Sequence, residues 1–146
     1  MILVIDDDEV DRQSLCRCVA AIGKTYAAAD TGAAAPTLID ENQFECILLD
    51  YMLPDCNGVE FVDELRKRNV DTPVVVVSGM ADDLSGILAI GVDDYVKKEE
   101  VTVEVIRICV KMVTEKHRKG REFREVVAAT KAKMEEINRL LAERLN

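Results

Sequence analysis

Paired cysteines, long apolar runs and more than a single histidine are all missing from this sequence of 146 residues. Its five cysteines, Cys16, Cys18, Cys46, Cys56 and Cys109, are odd in number and lack CxxC spacing. That pattern indicates neither a disulfide framework nor a zinc site, and it fits reduced thiols inside a cell. The one histidine, His117, lies in Glu115-Lys116-His117-Arg118-Lys119 and reads as part of a solvated basic face rather than as a phosphotransfer site. No uncharged apolar stretch approaches the roughly 18 residues of a membrane span, and acid at Asp6 comes too early for a signal peptide, so a cytoplasmic protein is expected. The basic residues near the C-terminus are interspersed with Glu115, Glu122 and Glu125 and lack a helix-turn-helix sequel, so no nucleic-acid partner is expected.

What is present is a set of short apolar runs that stop at functional groups. Ile2-Leu3-Val4-Ile5 ends at Asp6-Asp7, Ile47-Leu48-Leu49 at Asp50, Val74-Val75-Val76-Val77 at Ser78-Gly79, and the run around Tyr95-Val96 at Lys97-Lys98. In an open parallel sheet the carboxyl ends of the strands share one edge, and ligands bind in the crevice there. Carboxylates, a hydroxyl and an ammonium from distant parts of the chain are thereby expected to converge.

Apolar runs near 2–5, 25–29, 46–49, 74–77 and 93–96 alternate with helical patterns near 9–22, 32–42, 57–69, 82–90 and from 101 onward, the mark of repeated βα units. The expected fold is α/β, a doubly wound five-stranded parallel sheet, with the fourth strand covered on both faces. A 49% hydrophobic content suffices for the core of one such domain. Charge divides the chain: residues 1–100 hold 21 acids against 8 Lys and Arg, whereas residues 101–146 hold 7 acids against 11. From Thr102 a 3-4 apolar spacing runs through Ile106, Cys109, Val113, Phe123, Val127, Thr130, Met134, Ile137 and Leu141. A domain this small cannot cover a helix of about 40 residues, roughly 60 Å long, so its seam needs a partner and a coiled-coil homodimer is expected. Lys116 and Gly120 weaken the seam where the helix leaves the globular part. The expected division is 1–115 for the domain and 116–146 for the extension, which serves either as a linker to an output domain or as a docking module.

Three carboxylates held close together demand a cation unless they are protonated, and hard oxygen ligands completed by water and phosphate suit Mg²⁺. Asp50, alone at its strand end, is a candidate nucleophile for an aspartyl phosphate, with Lys98 pairing one phosphate oxygen and Ser78 donating to another. Each piece alone has an ordinary explanation as a helix cap or a surface group. Their combination on successive βα edges is what carries weight.

These residues resemble the receiver domain of bacterial two-component response regulators over 1 to about 115. The resemblance rests on Asp6-Asp7, on Leu48-Leu49-Asp50-Tyr51-Met52-Leu53-Pro54-Asp55 followed by Gly58, on Ser78-Gly79, and on Gly91-Val92-Asp93-Asp94-Tyr95-Val96-Lys97-Lys98. It implies a flavodoxin-like sheet of order 2-1-3-4-5, a signalling domain rather than a dedicated enzyme, and a sensor histidine kinase or histidine phosphotransfer protein as phosphodonor. It also implies Asp50 as phosphoacceptor, Asp7 and Asp50 as metal ligands with Asp6 acting through water and the Met52 backbone carbonyl completing the set, Ser78 and Tyr95 as switch residues, and Lys98 as the phosphate-pairing lysine. Glu99 stands where the family commonly has proline, so the loop before the last helix is expected to differ. Met52 and Met80 occupy positions that in this family influence the access of water to the phosphoryl group, and two apolar side chains there imply slow hydrolysis. The alternatives are a haloacid-dehalogenase-type phosphatase using Asp6 in Asp6-x-Asp8-x-Val10, for which no cap insertion is recognisable, and a constitutive coiled-coil scaffold. A flavin binder would need a Ser/Thr/Gly-rich phosphate loop where Asp6-Asp7-Asp8-Glu9 stands.

Overall fold

A computed structural model describes residues 1–79, 88–89 and 91–145. Five short strands, β1 (Ile2–Ile5), β2 (Tyr26–Ala29), β3 (Cys46–Leu49), β4 (Val74–Ser78) and β5 (Asp94–Lys97), form one sheet of order β2-β1-β3-β4-β5. All four pairings are parallel. β1, β3 and β4 are buried along their whole length, as continuous apolar runs in a doubly covered sheet should be. β3 is the middle strand, and β4 lies between it and the edge strand β5.

Alternate side chains divide the core into two layers. Ile2, Val4, Leu48, Val75 and Val77 pack with Leu15 and Val19 of α1 (Glu9–Ala21) and with Ile106, Cys109, Val110 and Val113 of the last helix. Leu3, Ile5, Ile47, Leu49, Val74 and Val76 pack on the opposite face with Ala35 of α2 (Ala35–Glu41) and with Phe61, Val62 and Leu65 of α3 (Gly58–Lys67). Helices on both faces follow from this alternation, since each apolar face of the sheet must be covered.

Caps set the helix limits. Asp8 caps α1 by accepting from the Asp11 N–H at 3.0 Å, and Gly23, in the left-handed region at φ +80°, follows its end. Asn57 caps α3 by accepting from the Glu60 N–H at 2.9 Å. α2 starts three residues later than its pattern suggests, because the N–H groups of Gly32 and Ala33 donate to the Asp55 carboxylate at 2.9 and 2.8 Å. The helix expected over 82–90 and the site position Met80 lie outside the described residues, Leu88 and Ala89 excepted.

A 3₁₀ turn, Lys98–Glu100, fills the loop in which Glu99 stands, and α4 (Val103–Leu145) follows. The chain divides into two units, Met1–Thr114 and Glu115–Asn146. In the first unit α4 contributes Ile106, Cys109, Val110 and Val113 to the core. In the second, every described residue from Arg121 onward is exposed, Phe123, Val127, Met134, Ile137 and Leu141 among them. Ion pairs one helical turn apart, Arg118 with Glu122 at 2.7 Å and Arg139 with Glu143 at 2.7 Å, support the helix along its polar side.

Candidate functional site

The sheet register brings the acidic strand ends together. Ile5 pairs with Leu49, so Asp6 and Asp50 leave neighbouring strands side by side, and the Asp50 N–H donates to the Ile5 carbonyl at 2.8 Å. Asp6 is fully buried and Asp50 nearly so, whereas Asp7 is exposed. One carboxylate oxygen from each of Asp6, Asp7 and Asp50 lies within 4.8 Å of the others. Asp6 is fixed from three directions. Its N–H donates to the Ala29 carbonyl at 3.1 Å, its Oδ1 accepts from the Asp8 N–H at 2.9 Å, and its carbonyl accepts from the Arg12 guanidinium at 2.9 Å.

Lys98 arrives from the turn after β5. Its Nζ lies 3.1 Å from Asp6 Oδ2, 3.2 Å from Asp50 Oδ2 and 2.8 Å from Asp11 Oδ2. Burial pushes the Asp6 carboxyl up to about 6, with the Asp50 charge adding to the rise and the Asp8 N–H and Lys98 opposing it. Burial pulls the Lys98 ammonium down, but its bonds to Asp11 and Asp6 and the charge of Asp50 outweigh this and hold it above its ordinary value. Asp6 Oδ2 is a buried oxygen whose one partner among the described residues is that ammonium at 3.1 Å. A carboxylate oxygen left so is an acceptor for a further cation or its water.

Ser78 closes β4, buried, beside Lys97 in the register of β5. The Tyr95 hydroxyl donates to the Ser78 carbonyl at 3.4 Å, so the two residues read as a switch pair are in contact. Met52 is half-exposed and forms an isolated antiparallel bridge with Asn57, which closes the loop after Asp50. In that loop the Leu53 N–H donates to the Cys56 carbonyl at 3.0 Å, and the Gly58 N–H to the Tyr51 carbonyl at 2.7 Å. The Asp55 carboxylate accepts from the N–H groups of Gly32 and Ala33 just ahead of α2, and these bonds hold it below the usual carboxylate range. Cys56, half-buried, sits against Gly32, whose missing side chain it needs: a Cβ there would lie 2.5 Å from Sγ.

Asp11 is the contributor that sequence reading did not single out. It occupies the first turn of α1, where side chains tilt back toward the helix N-terminus and hence toward the strand ends. An acid three residues past the capping Asp8 is the signal that would have found it.

A family model for the response regulator receiver domain matches residues 2–111. The chain belongs to the response regulator receiver domain family. Response regulator MprA of Mycobacterium sp. strain KMS is 33% identical over 108 residues, 72% of this chain and 46% of that protein. The chain thus spans about half the length of such relatives. Sensor histidine kinase RcsC of Escherichia coli K12 is 27% identical over 124 residues, 84% of this chain and 13% of the kinase. Among solved structures, the receiver domain of Francisella response regulator 1452 superposes with a TM-score of 0.72 at 29% identity, covering 80% of this chain and 97% of that one. Receiver domains of response regulators are signalling domains rather than dedicated enzymes. No helix among the described residues is long and apolar enough to cross a membrane.

Proposed function

We propose that Asp50 is a phosphoacceptor that takes a phosphoryl group from the phosphohistidine of a sensor histidine kinase or a histidine phosphotransfer protein in the cytoplasm. The observation that carries this reading is the meeting of Asp6, Asp7 and Asp50 within 4.8 Å with the Lys98 ammonium 3.2 Å from Asp50. An Asp50 carboxylate oxygen bonds to phosphorus while the bond from phosphorus to the donor imidazole nitrogen breaks and leaves its electron pair on the ring. Lys98 pairs with a phosphoryl oxygen, and Ser78 donates to another.

The three carboxylates fit Mg²⁺, with Asp7, Asp50 and the Met52 carbonyl as direct ligands and Asp6 through water. Bound there, Mg²⁺ would supply positive charge against the oxygens of the transferring group. Asp6 Oδ2, buried and with the Lys98 ammonium at 3.1 Å as its one partner among the described residues, supports a cation site independently of the family.

Ser78 and Tyr95, already in contact, rearrange around the new charge and alter the face that leads into residues 101–146. The domain is taken as 1–115 and the extension as 116–146. The exposed apolar row Phe123, Val127, Met134, Ile137 and Leu141 favours self-association of that extension, a dimeric helix leading to an output domain.

The test is intact mass after incubation with Mg²⁺ and acetyl phosphate. Wild type and Asp6→Asn should gain one phosphoryl group and Asp50→Asn none. A gain lost in Asp6→Asn but kept in Asp50→Asn would point to the phosphatase-type nucleophile. No gain in any form would leave a constitutive coiled-coil scaffold as the reading.

A further inference from the structure

Three carboxylates share the Lys98 ammonium, and they are not equivalent. A lysine has three N–H donors, and the shortest contact, 2.8 Å, is to Asp11 rather than to Asp6 or Asp50 at 3.1 and 3.2 Å. Asp6 is buried, and removing its cation would leave a charge with no water to take over. Asp50 is the acceptor of the reading above. Asp11, with its side chain 43% exposed, is the one partner that can release the ammonium into solvent at small cost.

Its position is well fixed. Asp11 is the third residue of α1, and its own N–H is tied to the capping Asp8 carboxylate at 3.0 Å, which fixes the backbone from which its side chain reaches Lys98 at 2.8 Å. A cavity of about 30 Å³ bounded by Asp11, Ser14 and Lys98 adjoins the contact. It has room for a water, so the Asp11 carboxylate keeps polar company when the ammonium moves away.

We propose that Asp11 is a positioning residue that holds Lys98 in the unphosphorylated site and yields it to the phosphoryl group on Asp50, so that release from Asp11 forms part of the barrier to phosphorylation. This role rests on Asp50 as acceptor. With acetyl phosphate, a bond forms between an Asp50 carboxylate oxygen and phosphorus, the bond from phosphorus to the acetate oxygen breaks, and acetate leaves with the electron pair. Lys98 keeps its proton throughout and exchanges one anionic partner for another.

The experiment compares initial rates of phosphoryl gain by intact mass, in Mg²⁺ and acetyl phosphate, for wild type, Asp11→Asn, Lys98→Ala and the double variant, with incubations long enough to label Lys98→Ala. Thermal melting of each variant is recorded alongside. Asp11→Asn should label roughly threefold faster than wild type, the scale of a partly exposed ion pair. In the Lys98→Ala background the same change should have no effect, because there is no ammonium to release. An Asp11→Ser variant should match Asp11→Asn. An unchanged or slower rate in folded Asp11→Asn and Asp11→Ser would overturn the role. So would an equal gain in both backgrounds, which would show that Asp11 acts only by repelling the donor. If wild type itself takes no label, the acceptor reading fails first and Asp11 falls with it, a result seen in the wild type rather than in the variants.

Discussion

Lys98 Nζ stands 3.2 Å from Asp50 Oδ2, joining the turn after β5 to the end of β3. The contact gives the candidate acceptor a counter-charge before any phosphate arrives. Lys98→Ala should therefore slow phosphorylation by acetyl phosphate on the order of tenfold, the loss of a charge-assisted bond to the transferring group. Rates from intact mass check this, and a rate equal to wild type would remove Lys98 from the chemistry.

Asp6 gives the protein a pH dependence of definite sign. Its folded carboxyl, pushed by burial to about 6 from an ordinary 3.8, binds its proton more tightly than in the unfolded chain. Stability from this group is thus fully present below about pH 4 and is lost as pH rises through 6. In metal-free buffer Asp6→Asn should be stabilised relative to wild type at pH 7.5, by on the order of 1–3 kcal/mol, and the difference should shrink toward pH 4.5. Urea melts at the two pH values measure it. Added Mg²⁺ should raise the wild-type midpoint more at pH 7.5 than at pH 5, because only the ionised carboxylates attract the cation.

Gly32 and Cys56 form a space-sharing pair between the β2–α2 loop and the loop after Asp50. Gly32→Ala places a Cβ 2.5 Å from Sγ and should destabilise by about 1–3 kcal/mol. Adding Cys56→Ala removes the sulfur and should recover most of the loss. Additive losses in denaturant melts would show that the clash is not the cause.

The second unit is tested by charge. Val127→Glu with Ile137→Glu puts carboxylates into the exposed apolar row and should reduce the mass seen by light scattering from oligomer to monomer. The melting of the domain should be unaffected, since its own share of α4 ends with the buried Val113. A monomeric wild type would instead favour a helix that docks on another protein.

Met52 is half-exposed two residues past Asp50, and on the phosphoacceptor reading it would offer an apolar side chain to water approaching the phosphoryl group. Met52→Asn should shorten the lifetime of the phosphorylated form several-fold, measured by decay of the added mass after the donor is removed. An unchanged lifetime would take Met52 out of the account.

The inner strands were legible because each is an uninterrupted apolar run stopped by a charged or turn residue: β1 and β3 fall on their expected residues, β4 runs one residue further, and the edge strands β2 and β5, the latter with Asp94 and Lys97 at its ends, fall within one residue of theirs. Parallel pairing followed from the βα alternation, and with it the convergence of Asp6, Asp7, Asp50 and Lys98. α2 was read too long because Gly32 and Ala33 give their N–H groups to Asp55, 22 or 23 residues away, and no local pattern carries that information. Asp11 went unnoticed for a related reason. In the sequence it is one more acid in the first turn of a helix, and only the arrival of Lys98, 87 residues later, gives it a partner.

Because the acidic edge is assembled from the ends of β1, β3, β4 and β5, no segment shorter than Asp6 to Lys98 contains it. The site therefore works as a test of completion. A nascent or damaged chain that has not paired β5 onto β4 has carboxylates but no Lys98 beside them, and like the Lys98→Ala variant it would be expected to take a phosphoryl group about tenfold more slowly. Full reactivity toward a phosphodonor would thus be expected only of molecules whose sheet is whole.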